Sequence, residues 1–225
     1  MLFNCKEETS IIFIESNFTS KNNEFVQVNI PFISNESDVT KLINSAISKT
    51  VISSLQIGEP DDLTSETIEE SITKFNDEYN DFINDFPESS QLWEAEIDGE
   101  AMFQSEDIIS IAITSYVNTG GAHGNLNISF LNFDVETGHS ISNIDLFKDI
   151  ESFKQIAKTH FGKVIENEGD VFDINTFKLP ANIGFSDEGI ILLYNTYEVA
   201  PYSTGIIEFE IPYNEIDSFL AFNNF

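Results

Sequence analysis

Tyr116-Val117-Asn118-Thr119-Gly120-Gly121-Ala122-His123-Gly124-Asn125 is a glycine-rich connection between two stretches of alternating apolar residues. Before it, Ile109, Ile111, Ile113 and Val117 fall on one parity of residues 107–117. After it, Leu126, Ile128 and Phe130 do the same within residues 126–135. A strand turns alternate side chains to opposite faces, so this pattern reads as a β-hairpin. A tight hairpin needs only two turn residues, whereas this connection is longer and holds three glycines. Its backbone is therefore expected to use conformations closed to residues with a Cβ. The loop has a shape to keep and locates a site. Glycines and one histidine do not by themselves name a reaction.

Working outward, residues 92–97 and 100–104 flank Asp98-Gly99, which reads as a second, two-residue hairpin. Upstream of it, Ile68, Ile72, Phe75, Tyr79, Phe82, Ile83 and Phe86 recur in steps of three and four, mostly, which predicts a helix from Thr64 or Ser65 closed by Pro87. Its other face carries Glu66, Glu69, Glu70, Asp77 and Asp81, a solvated surface or a dock for a basic partner. An earlier helix follows the N-cap candidates Ser34, Asn35 and Ser37 and carries Leu42, Ile43, Ile47 and Leu55. Two strands, 10–15 and 24–33, precede it. Downstream, Gly138 marks a turn with His139 exposed, 144–147 reads as one helical turn, and 150–165 as a helix. His160 sits at the edge of that helix's apolar face, a core-edge residue or a ligand. Strands at 183–185 and 190–194, an aromatic-rich loop at 195–205, a strand at 206–211 and a short helix at 213–220 complete the chain.

These elements predict an α+β fold: an antiparallel β-sheet with helices packed on it, in two closely associated subdomains, 9–88 and 89–225. At 225 residues the chain is long enough to bury a sizeable core.

The formal net charge is −29, with 39 acidic residues against 10 basic ones, all lysine. Nucleic-acid readers display basic patches and bidentate arginines, so that class is excluded. Anionic membrane surfaces are disfavoured for the same reason. A cationic protein, in contrast, would be drawn in from solution. No uncharged apolar run approaches the roughly 20 residues of a membrane-spanning helix.

Cys5 is the sole cysteine, so no intrachain disulfide forms. Met1-Leu2-Phe3-Asn4-Cys5-Lys6-Glu7-Glu8 is similar to the end of a bacterial lipoprotein signal. That reading makes Cys5 a lipidation site and the only link to a membrane. The alternative is an incidental thiol near a frayed terminus.

Tyr116, Thr119-Gly120-Gly121-Ala122-His123-Gly124, Asn132-Phe133-Asp134, Thr137-Gly138 and Asp145-Leu146-Phe147 together resemble a bacterial family of extracytoplasmic domains of unknown function, DUF3298. Its frequent companion, DUF4163, would occupy residues 9–86. Leu179-Pro180, Asn182-Ile183-Gly184-Phe185 and residues 194–202 extend the resemblance to nearly the whole chain. This pair of domains occurs in the ectodomain of a lysozyme-sensing anti-sigma factor and beside the catalytic domain of a peptidoglycan deacetylase. Neither the sigma-binding segment nor the deacetylase domain is found in this sequence. The resemblance thus implies a recognition module of the cell envelope whose partner is a cationic, lysozyme-like protein or a cell-wall glycan.

Catalysis needs convergent groups, and few are in view. His123 could act as a general base oriented by Glu198 or a neighbouring carboxylate, which would make the chain a hydrolase of cell-wall material. The favoured alternative is that His123 hydrogen-bonds across the loop and holds it in shape. No G-x-S-x-G, H-E-x-x-H or EF-hand spacing occurs, so neither a metal nor a cofactor is expected. Binding asks less: Tyr116, Tyr197 and Tyr202 lie in or beside the two most irregular loops, and tyrosines make good interface anchors. They are expected to form, with Thr119, Gly120, Gly121, His123 and Glu198, the partner-binding surface of a non-catalytic monomer.

Overall fold

The computed structural model describes residues 11–20, 25–58, 64–165, 171–173 and 176–222. Cys5 lies outside them, as do the expected starts of the first two strands at residues 10 and 24. The fold is α+β. One sheet runs in the order β1 (Phe13–Thr19), β2 (Val26–Ile33), β3 (Glu94–Gln104), β4 (Ile108–Asn118) and β5 (Asn125–Asp134). A second, antiparallel sheet joins β6 (Asn182–Phe185), β7 (Gly189–Tyr194) and β8 (Ile207–Pro212). The helices are α1 (Asp38–Leu55), α2 (Ile68–Asp85), α3 (Ile150–Val164) and the single turn α4 (Tyr213–Ile216).

The first sheet is mixed. β2 and β3 run parallel, with Val26 opposite Ala95, while the other pairs are antiparallel. Parallel neighbours need a long crossover, and α1 and α2 supply it. The sheet consequently spans residue 88.

Asp98-Gly99 is not a turn: β3 passes straight through it, with Asp98 opposite Asn29 on one side and Thr114 on the other. Crowding explains the glycine. A Cβ at Gly99 would lie 2.6 Å from Pro31 Cδ and 2.9 Å from Ile113 Cδ1, so only a bare backbone fits between β2 and β4. β1 also lies later than residues 10–15, because Ser16, Asn17, Phe18 and Thr19 stay paired with β2. Residues 144–147 form turns, and Phe147 bridges to Leu220.

α1 begins with a reciprocal cap. Thr40 N–H donates to Ser37 Oγ at 3.1 Å, and Ser37 N–H donates to Thr40 Oγ1 at 2.9 Å. Its buried face, Ile43, Ile47, Val51, Ile52 and Leu55, packs with Ile72 and Phe75 of α2 onto Ile109, Ile111 and Ile113 of β4. Each such side chain contributes about 1.5–3 kcal/mol by leaving water. A second core joins Phe153, Ala157 and Phe161 of α3 to the three-stranded sheet.

The two sheets meet at β5. The backbone groups of β5 that β4 leaves unused are taken by asparagines. Phe130 N–H donates to Asn182 Oδ1 (2.9 Å), Ile128 N–H to Asn195 Oδ1 (2.9 Å), and Asn195 Nδ2 donates back to the Ile128 carbonyl (2.8 Å). Asn132 Nδ2 donates to the Ile183 carbonyl at 2.7 Å. An edge that would otherwise recruit another strand is thereby closed. This seam also fixes the 195–205 loop beside the β4–β5 hairpin.

Candidate recognition face at the β4–β5 hairpin

The three glycines of the hairpin connection stand in three different settings. Gly120 has φ +83°, a left-handed conformation that disfavours side chains. A Cβ there would also press on the Gln91 side chain at 2.6 Å. Gly124 is buried and has no positive φ; a Cβ on it would run into the Tyr116 ring. Gly121 is exposed and unconstrained, with its nearest neighbour 3.8 Å from the added atom. The expectation of closed backbone conformations thus holds for Gly120 alone.

Around Gly124 the two irregular loops converge. Its carbonyl lies 2.9 Å from His123 Nδ1, which donates to it when that nitrogen is protonated, and accepts from Tyr202 Oη at 3.3 Å. The His123 imidazole lies flat on the Tyr202 ring, centroids 3.8 Å apart and planes 19° apart. Tyr197 follows at 5.7 Å from Tyr202 with a 35° tilt. The result is a three-ring column from the hairpin to the 195–205 loop, with Tyr116 at its base against Gly124. Tyr197 is 58% exposed and has φ +68°, a conformation that a bulky residue adopts at a cost.

Two expected residues stand apart from this column. Thr119 is exposed and lines a cleft under α1, on the other face of the hairpin. Glu198 has its oxygens occupied: Ala181 N–H donates to Oε1 at 2.7 Å and Asn195 N–H to Oε2 at 3.0 Å. It is a buttress of the loop and makes no hydrogen bond with His123. The pairing expected for a hydrolytic base is not formed. Gln91, Asn182 and Asn195 shape the face from beneath; the resemblance included the two asparagines, but no role for any of the three was legible, since an isolated amide carries no periodic signal.

The other histidines are elsewhere. His160, on α3, has Nε2 3.0 Å from Glu215 Oε2. His139 is exposed after the turn at Gly138, whose φ is +73°. Among the described residues no group of three or more His, Cys, Asp or Glu side chains is arranged to hold a metal ion. No helix among them is long and apolar enough to cross a membrane.

The 195–205 loop and the strands that flank it fall in a stretch with known relatives. Residues 142–214 match the family described as a protein of unknown function, DUF3298. Residues 18–126 match the family described as deacetylase PdaC. The Thr119-to-Gly124 stretch thus falls within the second match and outside the first. Solved structures with the same fold include a DUF3298 family member from Bacteroides fragilis. It is 20% identical, with a TM-score of 0.66 over 95% of this chain and 93% of that one. Another, from Pseudomonas aeruginosa, is 17% identical, with a TM-score of 0.62 over 95% of each chain. No curated protein matches.

Proposed function

We propose that this protein is a non-catalytic module of the cell envelope that binds a cationic protein, of the lysozyme type, through the β4–β5 hairpin and the 195–205 loop. The observation that carries the reading is the His123–Tyr202–Tyr197 column, which ends in an exposed ring on a chain of formal net charge −29. An exposed aromatic face attracts a Lys or Arg side chain, and the surrounding negative field brings such a partner in quickly. Glu198, committed to two backbone N–H groups, supports binding over hydrolysis. The matches to DUF3298 and to PdaC support an envelope setting. Lipidation at Cys5 and a monomeric state belong to the same proposal.

The test is a calorimetric titration with lysozyme at about 50 mM and about 300 mM salt, where screening lengths differ more than twofold. The proposal expects saturable binding that weakens at the higher salt and falls at least about tenfold in Tyr197→Gly. That variant relieves the left-handed strain, so its thermal stability is retained. Absence of association at low salt overturns the reading.

A further inference from the structure

The inward-facing row of β4 changes character along its length. Ile109, Ile111 and Ile113 are buried in the first core, yet the next residues on that face are Ser115, Val117 and Thr119. β5 changes in the same way, from Phe133 and Leu131 to Ser129, Asn127 and Asn125. The end of α1 above them carries Thr50, Ser53 and Ser54. The three elements enclose an open cleft of about 550 Å³, within the size range of small-ligand sites.

Its chemistry is specific. Charged residues make up 22% of the chain, yet none of the twelve described residues lining the cleft is charged. Hydroxyls and carboxamides dominate, and both groups donate and accept hydrogen bonds. Ser115 Oγ already donates to the Asn127 carbonyl (3.3 Å) and Asn127 Nδ2 to Ser129 Oγ (3.3 Å), so the floor is held in place from below. Ser53, Thr119 and Asn125 make no side-chain hydrogen bond among the described residues, and all three are exposed.

We infer that this cleft binds an uncharged saccharide. The described residues of the lining offer no countercharge to a cationic ligand, and the acidic chain around them repels an anionic one. An apolar ligand would leave the hydroxyls and amides without partners. A sugar, with a hydroxyl on most carbons, answers the mixed donors and acceptors. The site faces away from the aromatic column and stands independently of it.

The test uses the full chain and four trisaccharides: tri-N-acetylchitotriose and cellotriose, which are neutral, chitosan trimer, which is cationic, and trigalacturonate, which is anionic. Titration followed by amide chemical shifts is expected to give saturable binding of at least one neutral trisaccharide, with shifts centred on Ser53, Ser115 and Asn127. Affinity is expected to fall at least about tenfold in the double variant Ser53→Ala/Asn125→Ala. It is also expected to be lost in Ser53→Phe, which fills the mouth. Both sets of changes lie at exposed positions, and matching thermal melts confirm that the variants fold. Tyr197→Gly is expected to bind the sugar as the parent does, which separates this result from the lysozyme experiment. The inference is overturned by no saturable binding of either neutral trisaccharide, by preference for a charged one, or by binding that survives Ser53→Phe.

Discussion

The imidazole of His123 and the phenol of Tyr202 stack with centroids 3.8 Å apart, and both side chains meet the carbonyl of Gly124. Two loops far apart in sequence are joined by this contact. Tyr202→Phe keeps the stack and gives up only a 3.3 Å hydrogen bond, so it is expected to cost less than about 1 kcal/mol. Tyr202→Ala removes the stack as well and is expected to cost about 1–2 kcal/mol. Urea denaturation of the two variants checks the order, and equal losses would show that the ring contact carries nothing.

Replacing glycines of the hairpin connection by alanine separates their roles. Gly124→Ala drives a methyl into the Tyr116 ring and is expected to destabilise by about 1–3 kcal/mol. Gly121→Ala meets open space and is expected to fall within about 0.5 kcal/mol of the parent. Calorimetric melting of the pair decides it; a harmless Gly124→Ala would remove the packing role assigned to Tyr116.

The amide of Asn195 reads both backbone groups of Ile128. Asn195→Asp preserves shape and loses the donor, leaving a carboxylate oxygen against a carbonyl. The expected cost is about 2–3 kcal/mol, more than for an exposed substitution. Because the β5 edge is opened, concentration-dependent association is also expected by light scattering. A variant as stable and monomeric as the parent would contradict the seam.

Alkaline stability follows from two phenols. Burial, and then the negative charge of Glu198, pushes the Tyr194 hydroxyl well above its ordinary value. Burial, with Glu210 and Asp187, does the same to Tyr213. Their hydroxyls donate to the Lys178 and Ser186 carbonyls at 2.6 Å each. A raised folded pKa means that the stabilisation is complete below the unfolded value, about 10, and is lost as pH rises toward the folded value. The melting temperature is therefore expected to drop steeply above about pH 10, and less steeply in Tyr194→Phe. Identical alkaline limbs in the two proteins would refute the assignment.

Local periodicity carried much of the fold. The stripe from Ile68 to Phe82 gave α2, and the alternation of Ile109, Ile111 and Ile113 gave β4, because each signal is complete within one element. Asp98-Gly99 misled because a glycine demanded by a neighbouring strand looks the same in sequence as one demanded by a turn. The parallel pairing of β2 with β3 was not legible either, since it depends on residues 69 positions apart. At the site, the tyrosines and His123 were legible as loop aromatics expected to share one surface, whereas the stack of His123 on Tyr202 and the two backbone bonds of Glu198 were not. The asparagines that bring the loops together act at single positions, through sequence-distant backbone groups. The polar residues that continue the inward rows of β4 and β5 gain meaning only once α1 is seen above them.

The most direct measurement of the central claim is hydrogen–deuterium exchange of the protein with and without lysozyme at low salt. The account predicts added protection in residues 119–125 and 196–205 together, fading as salt is raised. Protection confined to other segments, or none where binding is saturated, would contradict it.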